Sequence, residues 1–207
     1  MNTIFAALTA LVLASQVAVA EPLPAEESVW VEGKGKEACQ FFGTAEWQEE
    51  DPILAVQFKK KNLVTDVKEG NTRQRLKCDF KITLDIAPGM MITLDKASLH
   101  FLSFQAEGGQ GTLSYRLRVD GQSSKATTIK IPDGFEKTGL ALENENDRLI
   151  RLGNCEGLKA DTLSLSTSQT VRSSDSLEND PNALDTAISL DVFLAKFKVS
   201  TCAATVD

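Results

Sequence analysis

What this sequence has little of narrows its chemistry before any motif is sought. Its 207 residues include a single histidine, His100. A serine–histidine–aspartate relay would have to use that residue as its base, because the base must titrate near neutrality. No G-x-S-x-G nucleophile elbow accompanies it. The run Leu99-His100-Phe101 also sets it on the opposite side of a strand from two apolar neighbours, so a surface or hydrogen-bonded sheet histidine is expected. No Cys-x-x-Cys pair occurs, which with one histidine leaves a zinc or redox site unsupported. No Asn-x-Ser/Thr sequon occurs either, so N-glycans are not expected. Aromatic residues are 6% of the chain, few for the aromatic platforms of polysaccharide-degrading clefts. Lys and Arg number 22 against 29 Asp and Glu, and the net charge of −7 argues against nucleic acid or anionic lipid as partners.

Long apolar stretches are confined to the start of the chain. Ile4 to Ala14 is uncharged and largely apolar, and Ala18-Val19-Ala20 supplies the small-x-small pattern that signal peptidase accepts. A cleaved signal peptide is therefore expected over residues 1–20, although no Lys or Arg precedes its apolar core. No later segment could span a bilayer as a helix. Residues 21–37 are rich in Pro, Glu and Gly and are expected to be a leader, with Trp30 as its one anchor candidate. Residues 38–207 are expected to form one domain, since 42% apolar and 25% charged residues suit a single sizeable core. The predicted location is outside the cytoplasm: secreted, or periplasmic or cell-surface in a Gram-negative cell.

Four cysteines follow the signal, Cys39, Cys78, Cys155 and Cys202. An even number in an oxidising compartment reads as disulfides. Three pairings are open. Cys39–Cys78 with Cys155–Cys202 is favoured because each bridge then closes a loop within one half of the chain.

The clearest structural signal runs from Leu76 to Ile86. Leu76, Cys78, Phe80, Ile82, Leu84 and Ile86 alternate with Lys77, Asp79, Lys81, Thr83 and Asp85, which predicts a strand with one buried and one solvated face. Leu113, Tyr115, Leu117 and Val119 repeat the pattern. Asp120-Gly121 then predicts a hairpin into Lys125–Ile131. Further strands are predicted over Cys39–Gln48, Ile53–Phe58, Met90–Phe104, Leu149–Leu152, Thr162–Val171 and Ile188–Val199. In the last, the apolar phase shifts from Ile188, Leu190 and Val192 to Phe193, Phe197 and Val199, as a β-bulge would produce. Pro- and Gly-bearing breakers separate these segments. Short strands at this spacing predict an all-β fold, an antiparallel two-sheet β-sandwich of immunoglobulin-like or jelly-roll-like kind, stapled by disulfides.

Arg75-Leu76-Lys77-Cys78, the alternating strand, Ala87-Pro88-Gly89-Met90 and a second strand with Leu94-Asp95 together resemble the secreted four-cysteine proteins of domain of unknown function family 4360. The resemblance covers about Ala38 to Cys202. It implies export, cystines and a β domain, and it brings no catalytic residues.

Two polar segments, Gly134–Asp147 and Arg172–Asn182, read as long loops, where binding residues usually lie. Glu143, Glu145 and Asp147, with Asp175, Glu178 and Asp180, are the candidate binding residues. Such oxygen-rich loops can hold calcium, but the spacing is not that of an EF-hand, so no metal or other cofactor is expected. Paired carboxylates could serve a hydrolase, yet Asp79 and Asp85 are explained by solvation on one strand face. Lys59-Lys60-Lys61 reads as a guarded sheet edge. The expected function is non-enzymatic: surface recognition of an extracellular protein or glycan. A carboxylate-dependent hydrolase and a calcium-dependent carbohydrate-binding module are the alternatives.

Overall fold

Alternation becomes strand wherever the sequence shows it. The computed structural model describes residues 29–35, 39, 43–48, 51–58, 64–66, 73–105, 108–132, 136–145, 150–155, 158–172 and 186–202. Among these, one six-stranded sheet runs in the order β1 (Val29–Gly35), β5 (Arg73–Leu84), β13 (Thr162–Arg172), β7 (Gln110–Val119) and β8 (Gln122–Ser123), with β9 (Thr127–Ile131) also on β7. An eight-stranded sheet runs β12 (Leu158–Ala160), β11 (Arg151–Cys155), β6 (Met90–Phe104), β14 (Ala187–Thr201), β3 (Ile53–Phe58) and β2 (Gly43–Gln48). In that sheet β10 (Glu136–Glu145) also pairs with β6 and β4 (Val64–Asp66) with β14. Every strand pairing is antiparallel. The expected two-sheet sandwich is the fold of this protein. Among the described residues no helix is long and apolar enough to cross a membrane.

The core lies between the two sheets. Leu76, Cys78, Phe80, Ile82 and Leu84 of β5 are buried, as are Leu99 and Phe101 of β6 and Leu190, Phe193 and Phe197 of β14. Full burial of such a side chain stabilises by roughly 1.5–3 kcal/mol. Slipping β5 by one residue would expose that set and bury Lys77, Asp79 and Lys81, so the register is fixed. Rings meet across the interface: Phe58 of β3 stands 5.0 Å from Phe80 of β5. Tyr115 of β7 meets Phe193 of β14 edge-on at 6.2 Å. The Tyr115 hydroxyl also donates to the Ala97 carbonyl of β6 at 2.9 Å, a buried polar tie between the sheets.

Both bridges are cross-braces. Cys39 joins Cys78, pinning the connection between β1 and β2 to the inner face of β5. Cys155 joins Cys202, closing across the start of β6, where the Gly89 carbonyl accepts the Cys202 amide. The enclosed separations of 39 and 47 residues each stabilise by about 4 kcal/mol in the chain-entropy account. Two glycines are dictated by backbone. Gly121, with φ of 66°, turns β7 into β8. At Gly153 an added Cβ would stand 2.6 Å from the Met90 carbonyl oxygen.

Several expectations need correction. Within the expected leader, Val29–Gly35 is an edge strand that the sequence reading did not assign, with Val31 packed on the core and Trp30 in register with Thr83. Its neighbour β5 has an otherwise unpaired edge there, and strand pairing satisfies it despite two glycines. Gly134–Asp147 is not a long loop. Glu136–Glu145 pairs along β6 because that strand of 15 residues offers a free edge beyond β11, and main-chain pairing outweighs the low strand preference of an acidic segment. The strand predicted over Leu149–Leu152 is shifted to Arg151–Cys155. The predicted bulge falls at Asp191, where the register shifts between Leu190 and Val192, and Val199 is exposed rather than part of the inner face. Met1–Ala20, Lys59–Lys61 and the segment from Ser173 to Asn182 lie outside the described residues.

Candidate functional site

The outward face of the six-stranded sheet is built by period two from three long strands, β5, β13 and β7, with the shorter β1 and β9 at its flanks. Down its centre β13 presents Thr162, Ser164, Ser166, Ser168 and Thr170, since its other phase (Leu163, Leu165, Thr167, Gln169, Val171) is buried. Register fixes the flanks. Opposite Ser166 stand Asp79 of β5 and Arg116 of β7; opposite Ser164 stand Lys81 and Arg118. Opposite Ser168 stand Lys77 and Ser114; opposite Thr170 stand Arg75 and Thr112, and Thr112 in turn faces Lys130 of β9. Arg172 faces Arg73 on one side and Gln110 on the other. The edge strand β1 adds Glu32 and Lys34, which pair with each other at 3.6 Å.

The result is a hydroxyl column on β13 beside a mostly basic column on β5, with Arg116 and Arg118 on the β7 side. On the described strands of this face, every charged outward side chain except Glu32 and Asp79 is basic. Asp79 accepts the Ser166 hydroxyl, and an Arg75 Nη donates weakly to the Ser168 hydroxyl at 3.5 Å. No carboxylate among the described residues forms an ion pair with Arg73, Arg75, Lys130 or Arg172. A groove of about 910 Å³ at this end of the sheet is lined by those four residues together with Gln110, Thr112, Thr170 and Pro132. A second depression, of about 620 Å³, lies at the opposite end and mixes charges: Arg118 and Lys159 with Asp120 and Asp161.

The other sheet presents a different outer surface. Ala55, Leu102, Phe104, Val192 and Leu194 are half-buried on it, and its ion pairs, Lys196 with Asp51 and Lys198 with Asp95, lie toward one end. His100 sits on this outward side, half-buried, with its Nε2 3.2 Å from the Ser98 hydroxyl. Among the described residues no carboxylate meets its other ring nitrogen, so the geometry is that of a hydrogen-bonded sheet histidine.

Of the residues singled out from sequence, Cys39, Cys78, Cys155 and Cys202 are all in disulfides. Glu143 and Glu145 lie on β10 in register with Ser98 and Lys96 of β6, at a sheet edge and not in a loop. Asp147, Asp175, Glu178 and Asp180 are outside the described residues. Among the described residues no group of three or more His, Cys, Asp or Glu could hold a metal ion. The basic face escaped the sequence reading because net charge averages over the whole chain. The signal was present in Arg73, Arg75, Lys77 and Lys81, which alternate with buried positions and so share one side of β5.

No family model matches the chain, and no curated protein matches it. Among solved structures, TmCBM61 in complex with β-1,4-galactotriose is 12% identical, with 83% of this chain and 83% of that chain covered at a TM-score of 0.29. CBM28, a carbohydrate-binding module specific for non-crystalline cellulose, is 14% identical over 84% of this chain and 87% of its own, at 0.25. The enzymatically active domain of bacteriophage CBA120 tailspike protein 4 is 11% identical, with 82% of this chain and 19% of that chain covered, at 0.26. At these TM-scores the likenesses assign neither a family nor a ligand.

Proposed function

We propose that this chain is an exported, non-catalytic recognition module that binds an extracellular glycan or protein through the outward face of its six-stranded sheet. One observation carries the reading: the Ser/Thr column of β13 runs beside the basic row of β5 (Arg73, Arg75, Lys77 and Lys81), with Arg116 and Arg118 of β7 on its other flank, all on paired strands. Hydroxyls and guanidinium groups held by backbone register are pre-positioned donors, and pre-positioning lowers the ordering cost of binding. Two disulfides give the durability that life outside the cytoplasm requires. The four-cysteine order shared with domain of unknown function family 4360 belongs to the same proposal, as support for export and cystine formation.

The test is capture of soluble polysaccharides and extracellular proteins by the purified chain, alongside a variant carrying Ser114→Glu and Ser168→Glu in the middle of the face. Wild type is expected to retain at least one class of partner and the variant to lose it at unchanged melting temperature. Capture indifferent to the substitutions, or turnover of a polysaccharide or peptide substrate, would overturn the reading.

A further inference from the structure

We propose that the groove at the Arg73–Arg172 end of the six-stranded sheet binds an acidic polysaccharide, its carboxylate or sulfate groups held by Arg73, Arg75, Lys130 and Arg172. The inference rests on the recognition reading above and names the ligand class for that face.

The four cations come from three strands, β5, β13 and β9, in two adjacent rows. Arg73 and Arg172 are direct cross-strand partners, while Arg75, Thr170, Thr112 and Lys130 form the next row. Strands lie about 4.8 Å apart, so Arg75 and Lys130, three strands apart, are separated by roughly 14 Å along their row, and the rows are roughly 7 Å apart. Two like charges directly opposite each other oppose strand pairing. Folding alone gives no reason to place Arg73 against Arg172 where the rest of the column is Ser and Thr. A local rule broken without structural gain is expected at functional or strained positions, and here the pair opens onto a groove with two further cations.

The chemistry of the groove selects among anions. Guanidinium forks match carboxylate and sulfate oxygens through paired N–H bonds, and three of the four cations are arginines. Thr170 and Thr112 stand between Arg75 and Lys130, and Gln110 stands beside Arg172, as hydrogen-bonding groups for sugar hydroxyls. No aromatic side chain lines the groove. Single-stranded nucleic acid is ordinarily held by aromatic stacking as well as by cations, and duplex DNA, with a charge every 1.7 Å or so, would meet the negative remainder of a chain of net charge −7. Spaced cations separated by hydroxyls suit a polymer whose charges are spaced by sugar rings.

Titration of the full chain with polygalacturonate oligomers and with dextran sulfate separates the carboxylate and sulfate sources. Neutral dextran and a single-stranded oligodeoxynucleotide serve as comparators. At least one charged polysaccharide is expected to bind, with affinity falling as salt rises. Arg73→Gln with Arg172→Gln should weaken that binding by about tenfold or more and flatten its salt dependence, because fewer counterions are released. Lys196→Gln with Lys198→Gln removes the same charge from the other sheet and should change affinity by less than about twofold. Equal loss in both double variants, tighter binding of the oligonucleotide, or no binding of either charged polysaccharide would overturn the inference. If neutral glycans or proteins bind through the face while charged polysaccharides do not, this inference fails and the recognition reading stands. Charged-polymer binding that ignores all substitutions on the face removes both.

Discussion

Arg73 and Arg172 occupy directly opposed positions on neighbouring antiparallel strands, two positive charges at the end of a column otherwise made of hydroxyls. Like charges in this arrangement destabilise a sheet by roughly 0.2–1 kcal/mol. Arg172→Thr should therefore raise the stability of the free protein by a few tenths of a kcal/mol, read as a higher denaturant midpoint at low ionic strength. The gain should shrink in about 0.5 M NaCl, where charges are screened over a few ångströms. A variant less stable than wild type at low salt would show that the pair is not repulsive.

The Tyr115 hydroxyl is a buried polar tie between the sheets, donating to Ala97 at the irregular stretch of β6. Tyr115→Phe keeps the ring against Phe193 and leaves a buried carbonyl short of a donor. The expected cost is about 1–2 kcal/mol, measured by chemical denaturation with an unchanged m-value. A cost near zero would mean that water or a neighbour replaces the bond.

Gly153 allows β11 to approach β6 closely. Gly153→Ala places a methyl 2.6 Å from the Met90 carbonyl oxygen, and backbone rather than a flexible side chain must move. Destabilisation of more than about 2 kcal/mol is expected, in contrast to Gly121→Asn, which the turn should tolerate because Asn accepts a positive φ. Equal small effects at both sites would show that β11 can shift outward freely.

Cys39→Ala with Cys78→Ala should cost about 2–5 kcal/mol, because the bridge holds the crossing from β1 to β2 against the core. Thermal melting under non-reducing conditions reads the loss. Iodoacetamide should leave the native wild-type protein unmodified, and four alkylated thiols would contradict the cystine framework altogether.

The sandwich was legible in the sequence because burial on one face writes period two directly into β5, β7, β13 and most of β6. The bulge in β14 was legible for the same reason: the phase of its apolar residues shifts between Val192 and Phe193, next to the register shift at Asp191. What could not be read was pairing between distant segments. Val29–Gly35 and Glu136–Glu145 are poor strands by composition and become strands because β5 and β6 have edges to satisfy. The basic face was hidden likewise. Arg73, Arg116, Lys130 and Arg172 are far apart in the chain, and only register brings them to one surface.

Arginine side-chain Nε–Hε resonances, followed by NMR during titration with polygalacturonate oligomers, test the functional account most directly. Arg73, Arg75 and Arg172 are expected to shift first and furthest, with Arg151 on the other sheet unmoved. Shifts confined to Arg151, or spread evenly over all arginines, would contradict a binding site on the six-stranded sheet.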